Sequence, residues 1–156
     1  MEVGGILGIS IMVIFTALGT LHGTLRSFFA FIGIYVAFLF TKGMLPPVGT
    51  ASSTMYVMAF VGIFAAVTVG GFLLYGATRL EPIEALEGVL GFILGMMTGW
   101  GFAKFVFSYF VAFSPQSQIA QQATMYGSIA WNIFTVAPYY DIMNIPLLQN
   151  LRKPKI

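Results

Sequence analysis

Val3-Gly4-Gly5-Ile6-Leu7-Gly8-Ile9-Ser10-Ile11-Met12-Val13-Ile14-Phe15-Thr16-Ala17-Leu18-Gly19-Thr20-Leu21 is a run of nineteen residues without a charge. A helix of that length, rising about 1.5 Å per residue, reaches across a hydrocarbon slab of about 30 Å. It also satisfies its own backbone hydrogen bonds, which a bilayer demands of any spanning segment. Similar runs recur at 27–45, 55–78 and 88–113, with charges gathered mostly at their ends. Seven basic and five acidic residues among 156 are too few to cover the surface of a soluble domain, and mean hydropathy is +0.91. The chain therefore reads as an all-α integral membrane protein, a single membrane domain over 1–156 built as a four-transmembrane-helix bundle.

The connections carry the turn signals. His22-Gly23-Thr24-Leu25-Arg26 is a short polar break after span 3–21, and Pro46-Pro47 stops span 27–45, where Lys42 can snorkel. Gly49 to Thr54 is small and polar and offers a helix N-cap. Arg79-Leu80-Glu81-Pro82-Ile83-Glu84-Ala85-Leu86-Glu87 is the most polar segment, with acids placed to favour the N-terminal dipole of the span that follows. The first span lacks a basic leader and a cleavage site, which predicts a retained helix.

Beyond Pro115 the segment 118–137 is amphipathic at helical period. Ile119, Ala123, Tyr126, Ala130, Ile133, Phe134 and Ala137 share one face; Gln118, Gln121, Gln122, Ser128, Asn132 and Thr135 share the other. It predicts a C-terminal amphipathic interfacial helix with Trp131, Tyr139 and Tyr140 at headgroup level, and a tail over 138–156. A fifth span is the alternative. Lys42, Arg152, Lys153 and Lys155 outnumber Arg26 and Arg79 across the four-span topology, which predicts both termini in the cytoplasm.

Few residues suggest chemistry. Without cysteine there is no disulfide, thiolate metal site or Cys nucleophile, and no basic cluster points to nucleic acid. Gly91, Gly95 and Gly99 recur every fourth residue with Gly88 just before them, a pattern that lets a second helix approach closely. That seam serves packing within the bundle or docking of a partner. His22 and Lys104 are possible polar sites. His22 is the sole histidine, with Arg26 four residues on. Lys104 either snorkels to the far interface or forms a paired intramembrane charge, with Asp141 as a candidate partner. No catalytic, cofactor or metal residues are expected, nor an enzyme.

Gly19-Thr20-Leu21-His22-Gly23-Thr24-Leu25-Arg26-Ser27 resembles the G-x-x-R-G-x-x-R-E motif joining the first two spans of the colicin V production protein family. Glu87 to Gly99 resembles that family's D-R-x-L-G-x-x-x-G-x-x-x-G segment, and the four-span layout with an amphipathic tail and a late proline, Pro138, agrees. Gly19, Gly23 and Arg26 are the matching motif residues. His22 stands for an Arg, Ser27 for a frequent acid, Gly5 for an early Asp, Gly88 for the hinge Arg and Thr98 for a basic residue. The resemblance implies a scaffold or interaction protein of the bacterial inner membrane, tied to toxin export or envelope physiology, without a defined catalytic activity. Its partners would be the lipid bilayer and a homo-oligomer or larger membrane-protein complex. The loss of charged motif positions keeps open an accessory structural subunit of a large respiratory or photosynthetic complex.

Overall fold

In the computed structural model the described residues are 2–44, 51–75 and 84–135. All their regular structure is helical, in the order α1 (Val3–His22), α2 (Thr24–Thr41), a 3-10 turn (Lys42–Met44), α3 (Ser53–Tyr75), α4 (Glu84–Phe113), α5 (Gln118–Thr124) and α6 (Ile129–Thr135). Helices α1 to α4 are each long and apolar enough to cross a membrane. Pro46, Pro47, Arg79, Glu81, Pro82, Pro138, Asp141 and the basic tail lie outside the described residues.

The break between the first two helices is shorter than the five polar residues imply. Gly23 alone separates them, at φ 81°, a left-handed backbone that glycine adopts without a Cβ clash. Its N–H donates to Gly19 O at 3.1 Å, and the Ser27 hydroxyl donates to Gly23 O at 2.8 Å. The carbonyls loosened by the break thus regain donors, and Thr24 to Arg26 join α2. Ser52 caps α3 by accepting from Met55 N at 3.3 Å, inside the linker that offered a cap.

The four long helices form a row rather than a square bundle. Helix α1 packs along α4, α4 along α2, and α2 along α3. Helices α1 and α2, although joined by one residue, touch little. Helix α3 reaches α4 mainly through rings: Phe60 stacks on Phe105 with centroids 3.7 Å apart, and Tyr56 stacks on the same ring at 5.5 Å. Such ring pairs add about 0.5–1.5 kcal/mol each beyond the area they bury. Ile34, Ala37 and Phe38 of α2 complete this cluster.

The segment after α4 corrects the single interfacial helix expected over 118–137. Gly127, at φ 85°, turns the chain and splits it into two seven-residue helices. Ser128 donates to Gln122 O and accepts from Trp131 N at 2.9 Å, so it closes one helix and caps the next. The faces differ from the expected ones accordingly. Ser128 is buried at 4% exposure, whereas Tyr126 in the turn is 84% exposed. Ala120 is buried, and Ala123, Ala130, Ile133 and Phe134 are buried in a cluster with Ala103 and Phe107 of α4.

This hairpin is pinned to the start of α1. Gly4 N donates to the Gln122 side-chain oxygen at 2.7 Å, and the Glu2 carboxylate accepts from Ile129 N at 2.9 Å. A methyl group on Gly8 would lie 2.8 Å from Ile133 Cδ1, too close to fit without a shift. Trp100, midway along α4, donates from its indole nitrogen to Ile133 O at 2.7 Å. The last described helix therefore runs inward along α1 and α4 instead of lying across their ends.

Candidate functional site

The glycine ladder is occupied from within the chain. A methyl on Gly19 would collide with Gly91 O and lie 2.7 Å from Gly95 Cα. One on Gly95 would lie 2.5 Å from Phe15 O, and one on Gly99 would lie 2.8 Å from Met12 Cα. The facing atoms are backbone and cannot swing away, so α1 and α4 meet at main-chain contact over more than two turns. In a bilayer, where apolar side chains gain nothing by leaving lipid for protein, such close contact is what drives helix association. Gly91 meets Gly19 reciprocally.

Gly88 does not belong to this seam, because a methyl there would meet nothing within 4 Å. The repeat of four continues through Glu87 instead. Its carboxylate lies where a Gly23 side chain would go, 2.6 Å from the position of a Cβ, and its carbonyl accepts from the Thr24 hydroxyl at 2.9 Å. Counting back four from Gly91 reaches Glu87, a signal present in the sequence but masked by the neighbouring glycine. Glu84 opens α4, as an acid favoured by the helix dipole should.

Where α1 and α2 diverge, a cleft of about 160 Å³ opens, with α2 and α4 as its floor and α1 and α3 as its walls. Four of the sequence candidates, Gly19, His22, Arg26 and Gly95, line it. His22 and Arg26 are exposed at the mouth, and buried Thr98 and Ser27 lie at the floor. The Arg26 guanidinium sits 5.7 Å from the ring centre of Phe72, a cation–π contact that holds it over α3. The His22 Nδ1 lies 2.8 Å from Leu18 O and must be the protonated nitrogen in that bond, which leaves Nε2 for any ligand. Thr68, also on the cleft, has a buried hydroxyl without a hydrogen-bond partner among the described residues.

Lys104 is elsewhere. It does not line the cleft, and at 2% exposure it is buried within the helices, which corrects the snorkelling expectation. The structure thus brings His22 and Arg26 to one site and leaves Lys104 apart. Missed by sequence reasoning were Phe64, Phe72 and Thr68, because nothing in α3 marks which of its faces turns toward α1.

Among the described residues no group of three His, Asp or Glu could hold a metal ion. The hydroxyls of Thr16, Thr20, Thr41 and Thr98 each donate to the carbonyl four residues back in their own helix. Their donor protons are spent on the backbone. No protein-family model matches the chain, and neither a curated protein nor a solved structure matches it.

Proposed function

We propose that this chain is a multi-pass scaffold or interaction protein of the bacterial cytoplasmic membrane, without catalytic activity, acting in toxin export or envelope physiology as the colicin V production resemblance implies. The observation that carries this reading is how the polar side chains are used. Thr16, Thr41 and Thr98 bond their own helix backbones, Thr24 ties α2 to the backbone of α4 at Glu87, and Ser27 bridges the carbonyls of Gly23 and Gly19 at 2.8 and 3.2 Å. They serve packing rather than a reaction. The glycine positions of the resemblance do the same, since Gly19, Gly91, Gly95 and Gly99 set the distance between α1 and α4.

A second reading, an accessory subunit packed against a large membrane complex, is favoured by the packing at Gly5. A methyl there would already lie 2.9 Å from Ile129 Cβ and 3.1 Å from the Glu2 carboxylate. The early Asp of the family has no space at this position, so the docked hairpin replaces a charge with a contact. The outer face of α3 is also widely exposed, with Leu73 at 82% and Met58 at 70%. Extraction in mild detergent followed by native gel electrophoresis separates the two readings. A lone small oligomer supports the first; comigration with a complex of several hundred kilodaltons supports the second and overturns the first.

A further inference from the structure

We infer that the cleft between α1 and α3 holds an acyl chain of a membrane phospholipid and is indifferent to the headgroup that carries it. This rests on the membrane reading above. His22 ends α1, and Phe15, seven residues earlier, also lines the cleft. The lining therefore runs about 10 Å from the helix end into the span. On α3 Phe72 and Phe64 cover a similar length, and Ala30 of α2 lies at the floor. The inner part of the cleft is thus set in hydrocarbon.

The polar groups around it select no headgroup, because they are already engaged. Ser27 donates to the carbonyls of Gly23 and Gly19, Thr98 donates to Leu94 O, and the His22 Nδ1 proton goes to Leu18 O. Arg26 is held over Phe72, and the Thr68 hydroxyl is buried against Gly33. Phe15, Leu18, Ala30, Phe64 and Phe72 remain to meet an occupant, and they are apolar. Water finds too few partners in such a space to stay there, and an empty cleft forfeits dispersion contacts along every wall. The neighbouring material in a bilayer is lipid chain. About 160 Å³ is close to the roughly 150 Å³ apolar cavity that admits benzene, so the cleft takes a stretch of chain and leaves the rest of the lipid outside. Helices α1 and α3 do not pack along one another. A chain in the gap therefore touches four helices, whereas one on the outer face of α3 touches a single helix, and this difference holds it in place.

The test is native mass spectrometry of the full-length chain in mild detergent with phosphatidylglycerol, with phosphatidylcholine of the same chains, or with glycerophosphocholine, which is a headgroup without chains. The expected result is similar retention of the two phospholipids and none of glycerophosphocholine. Ala30→Phe fills the cleft from the floor and Leu18→Trp fills it from the α1 wall. Each should lower retention of both lipids about tenfold while the protein keeps its helical circular dichroism. Val61→Phe adds bulk at an exposed position of α3 away from the cleft and should leave retention unchanged. Retention in both cleft variants equal to that of Val61→Phe would overturn the inference. A tenfold preference for either headgroup, or binding of glycerophosphocholine, would also overturn it, revealing a headgroup site. Alkaline carbonate extraction of native membranes keeps the two claims apart. Release of the chain contradicts the membrane reading, whereas a chain that stays in the membrane but retains no phospholipid contradicts only the lipid site.

Discussion

At Gly95 a single added methyl would press against Phe15 O, whereas at Gly88, two turns earlier, it would meet open space. Both residues sit in the same helix, and replacing either glycine gains the same helix propensity of up to about 1 kcal/mol. Their difference therefore isolates the contact. Gly95→Leu should destabilise the fold by about 1–3 kcal/mol or more, the scale of overpacking, and Gly88→Leu should be neutral or mildly stabilising. Thermal unfolding in detergent, followed by circular dichroism, measures the pair; equal losses would remove the seam as a cause of α1–α4 packing. The spacing of Gly91, Gly95 and Gly99 was legible in the sequence because helical geometry alone puts them on one face. Which helix fills that face was not legible, since Gly19 offers no more than a second small residue.

A companion test lies at Trp100. Its indole N–H supplies the described bond to Ile133 O. Trp100→Phe keeps a ring but removes the donor, and should cost about 1–2 kcal/mol as a partly buried carbonyl loses its partner. The loss should appear as faster proteolysis of the C-terminal part with little change in α1 to α4. Uniform destabilisation of the whole chain would mean that the ring, not the hydrogen bond, matters.

At the scale of elements, the long helices were readable and the short ones were not. Charge-free runs bounded by Pro, Gly and small polar residues located α1 to α4 within a few residues, because burial and lipid make the same demand along the whole length. Helices α5 and α6 answer to a local signal instead. Gly127-Ser128 is a stop followed by a cap, yet the apolar period continues across it and conceals the turn. The consequence is testable at two alanine-sized distances from the turn. Gln121 is exposed, while Ala130 is buried against Gly4. Gln121→Lys should leave the hairpin docked, and Ala130→Lys should release it, because a buried ammonium without a built partner costs several kcal/mol. Limited proteolysis in detergent reads the difference as new cleavage after α4 in Ala130→Lys alone. Similar digestion of both variants would mean that the hairpin is not held by this face.

At the scale of the molecule, two kinds of interface hold one row of helices. Backbone contact through glycine joins α1 to α4, and ring stacking joins α3 to α4 across the edge of α2. The first fixes a distance and the second fills one, and the cleft opens where neither closes the gap between α1 and α3. Of that site the sequence disclosed the polar mouth, since His22 and Arg26 are four residues apart around a turn. The walls depend on which way α3 rolls, and its apolar residues surround it without a preferred side. The topology follows from the same row. His22 ends α1 at one end of the helices, while Lys42 follows α2 and Gln116 follows α4 at the other. Labelling with a membrane-impermeant maleimide in intact cells and in inverted vesicles tests the four crossings directly, since the chain has no native cysteine. Lys42→Cys and Gln116→Cys should react only from the cytoplasmic face and His22→Cys only from the opposite one, whereas reaction of all three from one face would contradict a fold that crosses the membrane four times.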